Sequence, residues 1–159
     1  MNRTILLVIG VAAALCGCGA PRSTFDFVLT DGAREERVGS GADVRGEINN
    51  AGYLALDDQS WGLAMNLGGL AAGQHDLSAK SGTLVIIRKG TGDVYNTDLG
   101  GSCTVWINPH QSSNGSAVNG IFYCRSLVSN TGKKVDVGSG NFHTLINDSA
   151  NNPHLNGPP

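Results

Sequence analysis

The chain has 159 residues, of which 40% are hydrophobic and 15% charged, with 23 glycines and a net charge of −2. This length suits one domain and the apolar fraction is enough for a core, although charge falls below the roughly 25% usual in soluble domains. No basic stripe is present to neutralise phosphates, which argues against a nucleic-acid partner.

The chain begins with Arg3 and an apolar run from Ile5 to Leu15. A run of this length suits the core of an export signal and falls short of the roughly 18–20 residues that span a bilayer. It ends in Leu15-Cys16-Gly17-Cys18: a leucine, a variable residue, a small residue, then cysteine. This motif resembles the lipobox of bacterial lipoproteins. The resemblance implies a signal peptide at 1–17, cleavage before Cys18, a diacylglyceryl group on the Cys18 sulfur and an acylated amino terminus. Cys16 is the poorer acceptor, because bulky Leu15 would then precede the cut. Gly19 follows the cysteine where an aspartate would retain the protein, so in a host with two membranes the resemblance implies the outer membrane. The competing reading is an ordinary secretory signal that happens to contain cysteines. Residues 18–24 form the lipidated cysteine and a short tether; Ala20 to Thr24 reaches only about 20 Å when extended.

From residue 25 to 148, alternating patterns recur with turn residues between them, and a β-domain is expected. Phe25, Phe27 and Leu29 alternate and stop at Asp31-Gly32. Residues 34–48 carry charges and few large apolar groups, so they read as a loop or a weak edge strand. Tyr53 to Leu56, then Trp61 to Leu67, then Gln74 to Ala79, then Thr83 to Arg88 read as strands. Ser102 to Asn108, Val118 to Val128, Lys134 to Val137 and Asn141 to Asn147 complete the series. The best helix candidate, Leu63 to Ala72, is interrupted by Gly68-Gly69, at about 1 kcal/mol per glycine. About eight or nine short strands predict an all-β fold, a small antiparallel sandwich or alternatively a small barrel. Residues 149–159 are rich in Asn and Pro and read as a flexible tail.

With Cys16 and Cys18 assigned to the N-terminal segment, Cys103 and Cys124 remain as a pair, and in an oxidising compartment a disulfide is the default. A reactive thiol or a metal site has no supporting CxxC or ligand-spaced His. If 102–108 and 118–128 form an antiparallel hairpin in which the cysteines face each other, Val105 faces Phe122 and Ile107 faces Gly120. All six then lie on one apolar face, because side chains alternate along a strand. The other face reads Thr104, Trp106 and Asn108 against Ile121, Tyr123 and Arg125. A disulfide between separate sheets is the alternative.

Trp106, Tyr123 and Arg125 are the candidate partner-binding residues: aromatic groups beside a planar cation stack on a sugar or anchor a partner. The competing reading covers them with a loop, the tail or a second sheet. Other chemistry finds little footing. No G-x-S-x-G is present, and His75, His110, His143 and His154 are scattered, which reads as surface polarity. Asp57-Asp58 reads as a solvated turn, because neighbours on a strand point to opposite faces. Gly90-x-Gly92 and Gly138-x-Gly140 lack a following helix and read as turns or bulges. Asn114-Gly-Ser and Asn147-Asp-Ser match a glycosylation sequon only formally. No catalytic residue, metal site or cofactor is expected.

The segments Gly101-Ser-Cys-Thr-Val, Gly120-Ile-Phe-Tyr-Cys-Arg-Ser-Leu and Val135-Asp-Val-Gly-Ser-Gly-Asn-Phe resemble the closing strands of small bacterial β-domain lipoproteins; that resemblance implies no particular activity. The favoured reading is a membrane-anchored envelope lipoprotein, non-enzymatic, with a protein or glycan partner or a structural role. The alternatives are a periplasmic inhibitor or immunity-type lipoprotein, a carrier of small apolar ligands, and last an enzyme.

Overall fold

The computed structural model describes residues 23–39 and 44–148. The signal segment 1–17, Cys18, most of the tether, and residues 149–159 with His154 lie outside the described residues. All regular structure among the described residues is β: β1 (Thr24–Asp31), β2 (Arg34–Gly39), β3 (Arg45–Ile48), β4 (Tyr53–Asp57), β5 (Trp61–Asn66), β6 (Gly73–Leu77), β7 (Thr83–Arg88), β8 (Asp93–Asn96), β9 (Ser102–Ile107), β10 (Ala117–Ser129) and β11 (Lys134–Leu145).

These strands form one antiparallel sheet in the order β2-β1-β11-β10-β8-β7-β5-β4-β3, with β9 added to β10 and β6 added to β9. The sheet curls into a partial barrel. Ile48 at the end of β3 bridges to Ile146 just past β11, and Asn147 donates its amide to the Ile48 carbonyl at 2.8 Å. The all-β expectation therefore holds, as a curled sheet between the sandwich and barrel descriptions.

The curl depends on β10 serving two neighbours. Its residues 120–125 pair with β9 and residues 128–129 with β8. The changeover falls at Ser126, whose φ is 52°, a left-handed conformation uncommon outside glycine. The Ser126 amide, taken out of the ladder, donates to Asp136 Oδ1 at 2.6 Å. Gly101 lies against this bend: a Cβ there would be 2.5 Å from the Ser126 carbonyl oxygen. Bulges of this kind are how a strand passes from one sheet direction to another.

The inner face is packed with Phe25, Phe27, Phe122 and Phe142, together with aliphatic residues of every strand except β8, which contributes Tyr95. Between β10 and β11, Gly120 faces Phe142 and Phe122 faces Gly140. Each phenylalanine ring covers the opposing glycine: a Cβ on Gly120 would come 2.4 Å from Phe142 Cζ, and one on Gly140 would come 2.4 Å from Phe122 Cζ. Phe27 meets Trp61 edge-on, with ring centroids 5.5 Å apart, and Phe122 at 6.1 Å. The Arg88 guanidinium lies 4.8 Å above the Trp61 ring and pairs with Glu36, joining β7 to β2 across the mouth of the curl.

Three sequence expectations change. Residues 34–48 supply two strands, β2 and β3. β2 is an edge strand with only Val38 buried, and charged edge residues discourage pairing with other chains; its charges hide its strand character. Lys134–Val137 and most of Asn141–Asn147 belong to one strand, β11, because both halves pair with β1 across a bulge at Gly138 where the register shifts by one. β8 escapes notice because its buried residues are Asp93 and Tyr95, a pattern that does not read as apolar alternation. Among the described residues the strand count is accordingly eleven.

Candidate functional site

β9 and β10 pair in the expected register: Cys103 with Cys124, Val105 with Phe122, Ile107 with Gly120. The Asn108 amide donates to the Asn119 carbonyl at 2.9 Å, so these two form a hydrogen-bonded pair. Bonded and non-bonded pairs alternate along an antiparallel ladder. Cys103 and Cys124 are therefore a non-hydrogen-bonded pair, the closer kind; their Cα atoms lie 4.0 Å apart and the sulfurs are bonded.

The bond and the burial of Val105, Ile107 and Phe122 turn the alternate residues outward. Trp106 and Tyr123 are each 44% exposed, and Ile121 is 54% exposed. Ile121 faces Trp106, Tyr123 faces Thr104, and Arg125 faces Ser102. The structure thus places Trp106, Tyr123 and Arg125 on one open face, Arg125 exposed like the rings. No described loop or second sheet covers Trp106 or Tyr123.

Two polar borders flank the rings. On one side β6 places Gln74 beside Trp106 and Asp76 beside Thr104. Gln74 Nε2 and Thr104 Oγ1 both donate to Asp76, each at 2.9 Å. On the other side Asn141 pairs with Ile121 and donates through Nδ2 to Asp26 Oδ1 at 2.9 Å. His143 Nδ1 lies 2.8 Å from Asn119 Oδ1. These borders were not legible from sequence, because β6 joins β9 across two intervening strands and β1 joins β11 across the whole chain. The alternation that turns Gln74 and Asp76 outward was visible; the neighbour it turns them beside was not.

The other titratable candidates have local structural work. His75 bonds the Leu67 and Ala71 carbonyls, and His110 bonds the Asn108 carbonyl. Asp57 accepts from Lys89 Nζ at 2.6 Å. Asp58 Oδ1 accepts from the amides of Ser60 and Trp61, each at 2.7 Å. The Asp57-Asp58 carboxylates therefore diverge, one to an ion pair and one to a turn. Gly90-x-Gly92 forms the β7–β8 turn, and Gly138-x-Gly140 the β11 bulge. Among the described residues no group of three His, Cys, Asp or Glu side chains could hold a metal ion.

Asp93 is a carboxylate with a marked shift. Its side chain is 3% exposed and pairs with Lys133 Nζ at 3.0 Å. It also accepts from Thr91 Oγ1 at 2.8 Å and Thr131 Oγ1 at 3.2 Å. The Lys133 bond, then the Thr91 bond, hold its pKa below the ordinary carboxylate value, against the opposing effect of desolvation. A carboxyl depressed in the fold contributes stability above its unfolded pKa and loses it as pH falls through the folded value. Asp93→Asn should therefore melt lower than the parent near neutrality, with the gap closing in acid, below about pH 4. Thermal melts across that range check this; a gap independent of pH would contradict it.

Comparison with protein-family models, with curated proteins and with solved structures returned no match to this chain.

Proposed function

We propose that the chain is a lipid-anchored envelope protein, held through Cys18, whose β-domain binds a cell-envelope glycan on the face around Trp106 and Tyr123. The carrying observation is the exposure of two aromatic rings and Ile121 on an antiparallel face bordered by hydrogen-bonded Gln74–Asp76 and Asn141–Asp26 pairs. Aromatic faces stack on the C–H faces of sugar rings, while amide and carboxylate groups beside them exchange hydrogen bonds with hydroxyls. Arg125 adds a cation suited to a carboxylate or phosphate substituent. A carrier role draws no support, because Phe25, Phe27, Phe122 and Phe142 occupy the interior.

A periplasmic inhibitor that presents residues 108–116 is the second reading. It draws on the ordering of this loop: Gly115 donates to the Ile146 carbonyl at 2.8 Å, and the Asp148 amide to Asn114 Oδ1 at 2.9 Å. The glycan reading is favoured because those bonds hold the loop to its neighbours, whereas the aromatic face is open.

Co-sedimentation of the mature protein with purified cell-wall glycan tests the binding. Trp106→Ala and Tyr123→Ala should each weaken retention about tenfold, the equivalent of roughly 1.4 kcal/mol per lost ring contact. Their melting temperatures should stay near the parent value, because both rings are already half in solvent. Equal retention of the parent and the double variant would refute the glycan site. The anchor is tested separately: Cys18→Ala should move the protein from the membrane to the soluble fraction.

A further inference from the structure

We infer that the end of the domain bearing Ser23 is a lipid-facing surface, seated against the headgroups of the bilayer that holds Cys18. This rests on the anchor proposed above and adds the orientation of the domain upon it. Ser23 enters the fold between the Gly46 carbonyl, to which its hydroxyl donates at 2.8 Å, and Thr144 Oγ1 at 3.0 Å. Four residues lie between Cys18 and Ser23, so the connection, five residue-to-residue steps, reaches at most about 18 Å.

The loops at this end are 49–52, 67–72, 108–116 and 147–148. Hydrogen bonds join them: Leu70 donates to the Asn50 carbonyl at 3.2 Å, and Asn50 Nδ2 donates to the Ser112 carbonyl at 3.2 Å. The opposite end holds the turns that follow β1, β7 and β10. Along the 8 residues of β1, the turn that follows it lies roughly 26 Å from Ser23. That exceeds the reach of the tether, so the domain cannot invert to stand on that turn while Cys18 stays in the bilayer.

The chemistry of the two ends differs in the same sense. The four near loops are Asn, Ser, Gly, Ala and other uncharged residues, with Asp148 the single formal charge among them. The Asn50 amide caps that carboxylate at 2.8 Å, and the Asn50 side chain donates to it as well. The strand ends and turns at the far end carry Asp31, Arg34, Lys89, Lys133 and Lys134. The near loops offer amides and hydroxyls that exchange water for hydrogen bonds to headgroups. The tether length selects this end, and its polar, uncharged loops suit a headgroup surface.

The test uses the full lipidated protein in vesicles of phosphatidylethanolamine and phosphatidylglycerol containing a lipid with a nitroxide on its headgroup. A fluorophore is placed on Gln111→Cys at the near end or on Ala33→Cys at the far end; both positions are exposed. The nitroxide lipid should remove most of the emission at 111 and leave that at 33 unchanged. Equal quenching, or stronger quenching at 33, overturns the orientation. The intact mass of the same sample separates the two ideas. A lipidated Cys18 with equal quenching refutes the orientation alone, and an unmodified Cys18 refutes the anchor and the orientation with it.

Discussion

Phe122→Ala should lower the unfolding free energy by about 3–5 kcal/mol, the range for removing a buried phenylalanine, and the melting temperature by about 10–20 °C. Phe122 is 1% exposed and stands where β10 pairs with both β9 and β11. Its ring touches Phe27 and covers the Gly140 backbone. Loss of the ring opens a hollow bounded by rigid strands on either side, which limits collapse around it. Gly140→Ala supplies the reciprocal test. Its φ lies outside the left-handed region, so alanine is barred there by the Phe122 ring and by nothing in the backbone. With Phe122 present it should cost about 1–3 kcal/mol through overpacking; with Phe122→Ala the same methyl enters vacated space and should cost little. Urea unfolding of the two single variants and the double variant gives the coupling directly. Additive losses would show that the ring does not rest on the glycine.

Removing the disulfide is the second large effect. Cys103→Ala with Cys124→Ala should cost about 3 kcal/mol, the chain-entropy value for a closed loop of this size, here a sequence separation of 21. Much of that acts on the unfolded chain, which the bond keeps from separating β9 and β10. The native register is held independently by the burial of Val105, Ile107 and Phe122 and by the outward turn of Trp106 and Tyr123. The double variant should therefore retain its β circular dichroism and the solvent exposure of Trp106 while melting earlier. A melt unchanged by reductant would contradict this. So would a shift of Trp106 into a buried environment, which would mean the bond sets the register by itself.

How far the sequence could be read followed how far its pairing was local. β9 and β10 are joined by a short loop, and a cysteine in each left one register that also buried every apolar residue on one side. The exposed face of Trp106, Ile121, Tyr123 and Arg125 came with that register. Residues 34–48 left a loop and a weak edge strand both open, because β2 carries the charges of an edge and β3 has four residues. β8 escapes the pattern because it buries an aspartate held by Lys133. The borders of the site, Gln74 and Asp76 on one side and Asn141 and Asp26 on the other, depend on which distant strands become neighbours. Period-two alternation names the face of a strand and says nothing about the strand beside it.

The pairing of β1 with β11 has a consequence for how the protein folds as it is made. Residues 24–30 find their main partner in residues 136–143, at the other end of the domain. A chain made N-terminus first presents β1 long before β11 is synthesised. The sheet cannot close behind it, and such distant contacts form slowly. The topology itself delays closure of the sheet until nearly the whole domain has been made.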